Sequence, residues 1–229
     1  MGRQIEIFDD SAELDGFKTI VFEKQEAATR FMEVFEFEST ILIDALMQAN
    51  NERSWRNQYF PARNMGRWSD LIGSSALQIC PKGNYKYNVH NGQPCLENDE
   101  LKVRLIFMSS NDDIGSASGV ISSRYPKGHQ TAKHIIGNAS LDVNDGNYKT
   151  WICYFPSAGN WTYGDDEQQA KLEVSYPMAV RKSKSGKKFL PCNHEQRLFL
   201  NATSLDITPR DDTESSYDDD DMDLGLKQA

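Results

Sequence analysis

The chain lacks a hydrophobic run long enough to cross a membrane, and its first residues, MGRQIEIF, lack the basic start and apolar core of a secretory signal. We therefore expect an intracellular protein that is not secreted and has no transmembrane segment. Cysteine is scarce. The four thiols, at positions 80, 95, 153 and 192, would allow two disulfides in an oxidising compartment, but inside a cell they are expected to stay free.

Sequence motifs of the common enzyme classes are also missing. The chain contains no GxxxxGK[ST] or GxGxxG phosphate loop, no HExxH zinc motif and no GxSxG nucleophile elbow. Five candidate metal ligands are spread widely, and only the last two stand close together: Cys80, His90, Cys95, Cys192 and His194. Structural zinc sites usually have closely paired ligands. The sequence therefore predicts ordinary buried thiols and scattered histidines, no metal, no cofactor and no enzymatic activity.

Negative charge is in excess, and it is concentrated at the C-terminal end of the sequence. Of the net charge of −9, residues 211–229 carry −7, from eight carboxylates and one lysine, which leaves −2 for residues 1–210. So acidic a segment has too few apolar side chains to form a core, and residues 209–229 are predicted to be a disordered tail that contacts a partner protein. Ser215 and Ser216 each precede an aspartate by three positions and are candidate phosphorylation sites.

Hydrophobic periodicity divides the remaining chain at about residue 75. Residues 1–75 contain short strand patterns and an amphipathic helix with a break near Glu38 to Thr40. The apolar face of this helix recurs every three or four positions, at Phe31, Val34, Phe35, Ile41, Leu42, Ala45 and Leu46. Residues 76–208 instead show short alternating segments, and one of them places Arg104 on a solvent-facing side.

These short segments predict the fold class. Turn-forming clusters separate eight candidate strands, at residues 76–80, 85–89, 100–109, 118–125, 134–143, 148–155, 170–180 and 195–207. Strands of this length and spacing are typical of a mainly β protein, namely an antiparallel β-sandwich or jelly roll. The predicted molecule therefore has an N-terminal helical element, a β-sandwich core and an acidic tail.

Two segments are candidates for binding single-stranded nucleic acid. In residues 51–75, arginines alternate with aromatic side chains, at Arg53, Trp55, Arg56, Arg63, Arg67 and Trp68. Guanidinium groups neutralise phosphates and aromatic rings stack on bases, although such rings also serve simply to anchor a loop to the core. The second segment has five basic residues in eight positions, Arg181, Lys182, Lys184, Lys187 and Lys188, and predicts an exposed loop that attracts phosphates or is merely solvated.

The order of segments between residues 99 and 205 resembles the conserved core of the plant-virus thirty-kilodalton movement protein superfamily. The hydrophobic stretch ELKVRLIFMS is followed by the glycine-containing SGVISSRY, and YKTWICYF ends at Pro156 before a polar stretch and a further strand. The aspartate expected after the glycine turn is absent from residues 119–123, and Leu141-Asp142 is the nearest substitute.

This resemblance implies a non-enzymatic β-sandwich protein that self-associates and binds viral single-stranded nucleic acid. It further implies cell-to-cell movement, a location in the host cytoplasm and at plasmodesmata, and a host or viral protein as the partner of the tail. Two alternatives remain at this point. One is a jelly-roll capsid or other virion structural protein, which would form symmetric particles. The other is a non-viral protein-interaction module.

Overall fold

The structure is a computed structural model that describes residues 18–51, 60–90, 92–139, 148–156, 171–184 and 186–201. Four α-helices are described, α1 (Lys24–Phe35), α2 (Thr40–Asn51), α3 (Phe60–Ile79) and α4 (His129–Ile136), with a 3-10 turn at Gly137–Ala139. Seven strands are described, β1 (Ile20–Glu23), β2 (Tyr85–His90), β3 (Gln93–Asn98), β4 (Val103–Ser109), β5 (Lys149–Phe155), β6 (Lys171–Lys182) and β7 (Phe189–Asn201). The protein is therefore mainly β with helical layers, and none of its described helices is long and apolar enough to span a membrane.

The seven strands form one mixed sheet in the order β1-β7-β6-β5-β4-β3-β2. Two neighbouring pairs are parallel, β1 with β7 and β4 with β5, and the other four pairs are antiparallel. The parallel pair at the centre requires a crossover between β4 and β5, and α4 lies in that connection. The described strands therefore do not form the predicted antiparallel sandwich.

Helices, in place of a second sheet, cover the strands, and this explains why the sandwich prediction is wrong for this part of the chain. Every residue of β4 from Val103 to Met108 is buried, as is every residue of β5 from Thr150 to Phe155. A strand that is buried on both faces shows a continuous apolar run, whereas a strand of a sandwich with one solvated face alternates.

One sheet face packs against α1, α2 and α3, and we call it the three-helix face. Its core includes Phe31 and Phe35 of α1, Leu42 and Leu46 of α2, and Leu71 of α3. These side chains contact alternate residues of the central strands, Leu105, Phe107, Trp151, Cys153, Val174 and Leu198. Because successive strand residues point to opposite faces, the residues between them belong to the other side of the sheet.

The opposite face packs against α4 and residues 110–128, and we call it the α4 face. Its apolar core joins Ile106, Met108, Ile152, Tyr154 and Val180 of the sheet to Ile114, Ile121, Ala132 and Ile135. The 110–128 segment is tied to the strands by backbone hydrogen bonds, such as Ser110 N–H to Phe155 O at 2.9 Å and Arg124 N–H to Ser109 O at 2.9 Å.

The predicted break near Glu38 to Thr40 separates two helices, α1 and α2, and the chain turns after α1, where Glu36 adopts a left-handed conformation with φ of 56°. Other predicted elements differ from the observed ones. Of the predicted strands, residues 76–79 belong to the end of α3, which also crosses the boundary drawn at residue 75. Residues 118–125 form an irregular segment with one bridge, Ser123 to Ser110. Residues 134–136 belong to α4, because Thr131, Ala132 and Ile135 follow a helical period.

Candidate functional site

The predicted basic segment lies at the tip of the β6–β7 hairpin. Arg181 pairs with Leu190 and Lys182 with Phe189 at the end of the ladder, and residues 183–188 connect the two strands. The connection is closed by Ser183 N–H to Lys188 O at 2.8 Å. We call the set Arg181, Lys182, Lys184, Lys187 and Lys188 the basic tip.

The basic tip has a compact turn with exposed lysines. Gly186 donates its N–H to Ser183 O at 2.7 Å and has φ of 68°, a left-handed value that suits glycine. Lys182, Lys184, Lys187 and Lys188 are exposed, and Arg181 is half-buried. None of the five cations forms an ion pair with a carboxylate of the described residues.

A second basic group lies against this tip. Lys127 and Phe189 exchange two backbone hydrogen bonds, of 2.7 and 3.0 Å, and thereby fix the entrance to α4 beside the start of β7. Burial and the nearby charge of Lys188 lower the pKa of Lys127 to about 8. The ring of His129, the first residue of α4, lies 5.8 Å from the ring of Phe189. Two lysines and an imidazole therefore lie close to the start of β7.

The Arg and aromatic segment is only partly described. Arg53, Trp55 and Arg56 lie outside the described residues, and Arg63 and Arg67 belong to α3 with side chains that are not described. Trp68 is half-buried against the three-helix core, and its Nε1–H points at Phe107 O at 3.5 Å. This position fits an aromatic anchor, the alternative to base stacking. The candidate phosphorylation sites Ser215 and Ser216 also lie outside the described residues.

A polar group that the sequence did not predict lies on the α4 face of β2, β3 and β4. We call Asn88, His90, Cys95, Glu97 and Arg104 the hairpin cluster. Glu97 Oε1 accepts hydrogen bonds from Arg104 Nε at 2.5 Å and His90 Nε2 at 2.9 Å, and Glu97 Oε2 accepts one from Asn88 Nδ2 at 2.5 Å. Arg104 also lies 4.7 Å from the centre of the Tyr148 ring. The expected solvent-facing position of Arg104 is wrong, because only 9% of this residue is exposed.

Protonation states in the hairpin cluster follow from burial and pairing. Burial alone would raise the pKa of Glu97, but hydrogen bonds from Asn88 and Arg104 outweigh it and leave the pKa below its usual value. Burial, with the adjacent Glu97 charge, raises the pKa of the Cys95 thiol to about 12. Burial and the Arg104 charge lower the pKa of His134 on α4 to about 4. At neutral pH the carboxylate is therefore charged, while the thiol and His134 are neutral.

A second buried ion pair lies near the opposite end of the same face. Arg197 of β7 donates to both oxygens of Glu173 on β6, at 2.7 and 3.0 Å, and these residues are 3% and 0% exposed. Ser175 Oγ donates to the same carboxylate at 2.6 Å. Gly115 N–H also donates to Glu173, and Arg197 donates to Gly119 O, so the pair holds the 110–128 segment on the sheet.

The five metal-ligand candidates from the sequence do not form one site. Cys80 follows α3, and Cys192 and His194 lie on β7, where the His194 ring contacts Tyr154 with 3.2 Å between Nε2 and the hydroxyl. His90 and Cys95 do come together, and Glu97 joins them. No sequence pattern indicates Glu97 as a member of this group, because only the strand register places it opposite Arg104.

No protein-family model, no curated protein and no solved structure matches the chain.

Proposed function

We propose that the chain is a non-enzymatic protein that binds single-stranded nucleic acid through the basic tip. The observation that carries this proposal is the density of positive charge on the β6–β7 hairpin, where no cation of the basic tip pairs with a carboxylate of the described residues. The tip supplies five cations within eight residues, while residues 1–210 as a whole have a net charge of −2. A local excess of this kind attracts polyanions even when the molecule as a whole is acidic.

The geometry of the hairpin favours phosphate contacts. The long antiparallel ladder of β6 and β7 holds the tip at one end of the sheet, and the turn at Gly186 is set by a backbone hydrogen bond. Lysines on a fixed turn lose only side-chain freedom when they bind a phosphate chain, and the released counterions drive association without regard to base sequence.

Lys127 extends the same surface. Its pKa of about 8 reflects burial and repulsion by Lys188, and a phosphate placed between the two lysines would relieve that repulsion. The first turn of α4 adds backbone N–H groups nearby, which favour negative charge. The preferred position of a bound phosphate is therefore between residues 127–129 and the basic tip.

The buried thiols argue against nucleophilic chemistry as the main role. Burial raises the pKa of Cys192 to about 11 and that of Cys95 to about 12, and it raises the pKa of Cys153 further. A thiol of this kind is protonated at neutral pH, whereas a catalytic cysteine reacts as the thiolate.

Cell-to-cell movement of a viral genome, with self-association, is the narrower form of the proposal. It depends on the resemblance of residues 99–205 to the movement protein superfamily. A capsid or other virion structural protein is the alternative within the viral class. Binding by the basic tip does not depend on this choice, and the two roles differ in whether the pure protein forms symmetric particles.

The test is a fluorescence anisotropy titration of a labelled single-stranded oligonucleotide at several salt concentrations. The tip variant changes Lys182, Lys184, Lys187 and Lys188 to glutamine. We expect it to bind at least tenfold more weakly at low salt. We also expect the slope of log affinity against log salt to flatten by about 0.7 for each phosphate contact removed.

The matched control variant removes the same number of exposed lysines elsewhere, at Lys24, Lys82, Lys149 and Lys171. It has the same net charge as the tip variant, so a general loss of positive charge affects both equally. Equal affinities for the two variants would contradict the proposal. No binding by the unaltered chain would leave the protein-interaction module as the better account.

A further inference from the structure

The β2–β3 hairpin presents three different metal-ligating side chains on one side. His90 ends β2, and Cys95 and Glu97 lie two residues apart on β3, so that all three point to the α4 face. One ligand atom from each, an imidazole nitrogen, the Cys95 sulfur and a Glu97 oxygen, lie within 4.8 Å of one another. Cys95 and Glu97 are buried and His90 is half-buried, which leaves access from one side.

We propose that His90, Cys95 and Glu97 bind one divalent ion of the zinc type. Imidazole, thiolate and carboxylate are the three side-chain ligands that Zn²⁺ uses in proteins, with bond lengths of about 2.0–2.3 Å. A tetrahedral ion of that size keeps its ligand atoms about 3.5 Å apart. The observed spacing thus requires a contraction of little more than about 1 Å, which side-chain rotation provides without a change in the strand register.

Binding of the ion releases one proton from Cys95. In the free protein the Cys95 thiol is protonated at neutral pH, because burial and the Glu97 charge raise its pKa to about 12. The ion replaces that proton, so a sulfur–metal bond forms as one S–H bond breaks and one H⁺ enters the solvent.

Arg104 opposes the ion and limits its affinity. Its guanidinium donates to Glu97 Oε1 at 2.5 Å, so metal binding weakens this contact. The new thiolate reduces that cost, because it adds one negative charge beside the guanidinium.

The fourth coordination position faces α4. The His134 ring stands edge-on to the His90 ring with 5.3 Å between centres, and its Nε2 lies 2.9 Å from Gln130 Nε2. Water or this imidazole completes the coordination, and the three strand residues define the site.

The experiment is a titration of the full chain with Co²⁺, followed by the absorption of the cobalt–thiolate bond, and then displacement by Zn²⁺. We expect saturation at one ion per chain and an affinity that rises with pH. Cys95→Ser should abolish the cobalt–thiolate band, and His90→Ala should weaken binding at least tenfold. Control variants Cys192→Ser and His129→Ala, which change a thiol and an imidazole outside the site, should bind as the unaltered chain does.

Two outcomes would overturn the proposal. One is the absence of a cobalt–thiolate band in a chain whose circular dichroism shows it to be folded. The other is a band that survives Cys95→Ser or disappears in Cys192→Ser. The exposed fraction of the His90 side chain is 36%, so His90→Ala keeps the test decisive even if Cys95→Ser fails to fold. Nucleic-acid binding plays no part in this readout.

Discussion

At the scale of single residues, the α4 face buries ionisable groups in two different ways. Glu97 and Glu173 are charged and paired with Arg104 and Arg197, respectively. His134 and His194 are instead held neutral, because burial lowers the pKa of the first to about 4 and of the second to about 3. Each arrangement makes a different prediction about stability.

The two histidines predict a loss of stability in mild acid. In the unfolded chain an imidazole binds a proton below about pH 6.5, whereas in the folded chain these two do so only near pH 4 and pH 3. The unfolded state therefore binds up to two more protons between pH 4.5 and 6. The free energy of unfolding should fall there by up to about 2.7 kcal/mol for each unit that the pH decreases.

Urea denaturation at a series of pH values measures this slope. His194→Gln removes one of the two titrating groups and should reduce the slope by about half. His129→Gln changes an exposed imidazole and serves as the control, with an unchanged slope. A His194→Gln variant whose stability depends on pH as steeply as that of the unaltered chain would contradict the assignment of His194 as a neutral buried group.

The Glu173–Arg197 pair predicts a large effect of a single substitution. Arg197→Met leaves the Glu173 carboxylate buried without its cation and removes the donor to Gly119 O. We expect the free energy of unfolding to fall by about 3–5 kcal/mol, as measured by chemical denaturation. Lys86→Met is the control, because Lys86 pairs with Asp99 in solvent and its loss should change the free energy of unfolding far less. Similar losses in the two variants would contradict this account.

At the scale of elements, the sequence predicted the segments that carry a long periodic pattern. The apolar positions of α1 and α2 recur over 12 residues each, and the aromatic strand β5 stands out by its composition. The helix α4 is only eight residues long, so its few apolar positions did not distinguish it from a strand. Because α4 was not predicted, the crossover that it forms was not predicted either. The parallel pairing of β4 with β5 therefore could not be predicted.

One irregular position within the β6–β7 hairpin shows how the elements are joined. The ladder shifts register between Tyr176 and Pro177, where proline cannot donate a hydrogen bond. Asn138, in the 3-10 turn after α4, bridges the gap. Its Nδ2 donates to Pro177 O at 2.7 Å and Thr150 O at 2.8 Å, and its Oδ1 accepts from Thr150 N–H at 2.8 Å.

This bridge makes Asn138 a structural residue. Asn138→Ala removes three hydrogen bonds from partly buried partners and should lower the free energy of unfolding by about 2–3 kcal/mol. Asn84→Ala, which removes an exposed hydrogen bond to Glu100, should change it by less than about 0.5 kcal/mol. Thermal or urea denaturation of both variants tests the bridge, and a negligible effect of Asn138→Ala would show that it does not stabilise the fold.

At the scale of the whole molecule, the positions of exposed charges can be predicted from the sequence more readily than those of buried charges. A run of lysines must remain in solvent wherever the chain places it, so the basic tip could be read from composition alone. The hairpin cluster could not, because its residues come from three strands whose register no local pattern reveals. For the same reason the sequence does not distinguish the candidate metal ligands His90 and Cys95 from Cys192 and His194, which lie elsewhere on the sheet.

The distribution of charge along the chain predicts that the acidic tail competes with nucleic acid for the basic tip. Residues 211–229 carry −7, and the basic tip is the densest positive segment of the sequence. If the tail occupies the tip part of the time, a chain that ends at residue 210 should bind a single-stranded oligonucleotide severalfold more tightly at low salt. The difference should vanish at high salt, where such attraction is screened.

Anisotropy titrations of the two chain lengths measure this effect. A second variant keeps the full length but changes each Asp and Glu of residues 211–229 to Asn and Gln. This variant separates the effect of charge from that of chain length, and it should bind the oligonucleotide as the shortened chain does. Phosphate on Ser215 and Ser216 adds negative charge and should weaken binding further. Equal affinities with and without residues 211–229 would contradict the competition.

Lysine footprinting shows where nucleic acid contacts the chain. The full chain is acetylated briefly with and without a single-stranded oligonucleotide, and the modified lysines are quantified by mass spectrometry. Binding through the basic tip should protect Lys182, Lys184, Lys187 and Lys188, while Lys24, Lys82, Lys149 and Lys171 are modified at unchanged rates. Protection of the second set alone, or of neither set in a chain that binds the oligonucleotide, would rule out the basic tip as the contact surface.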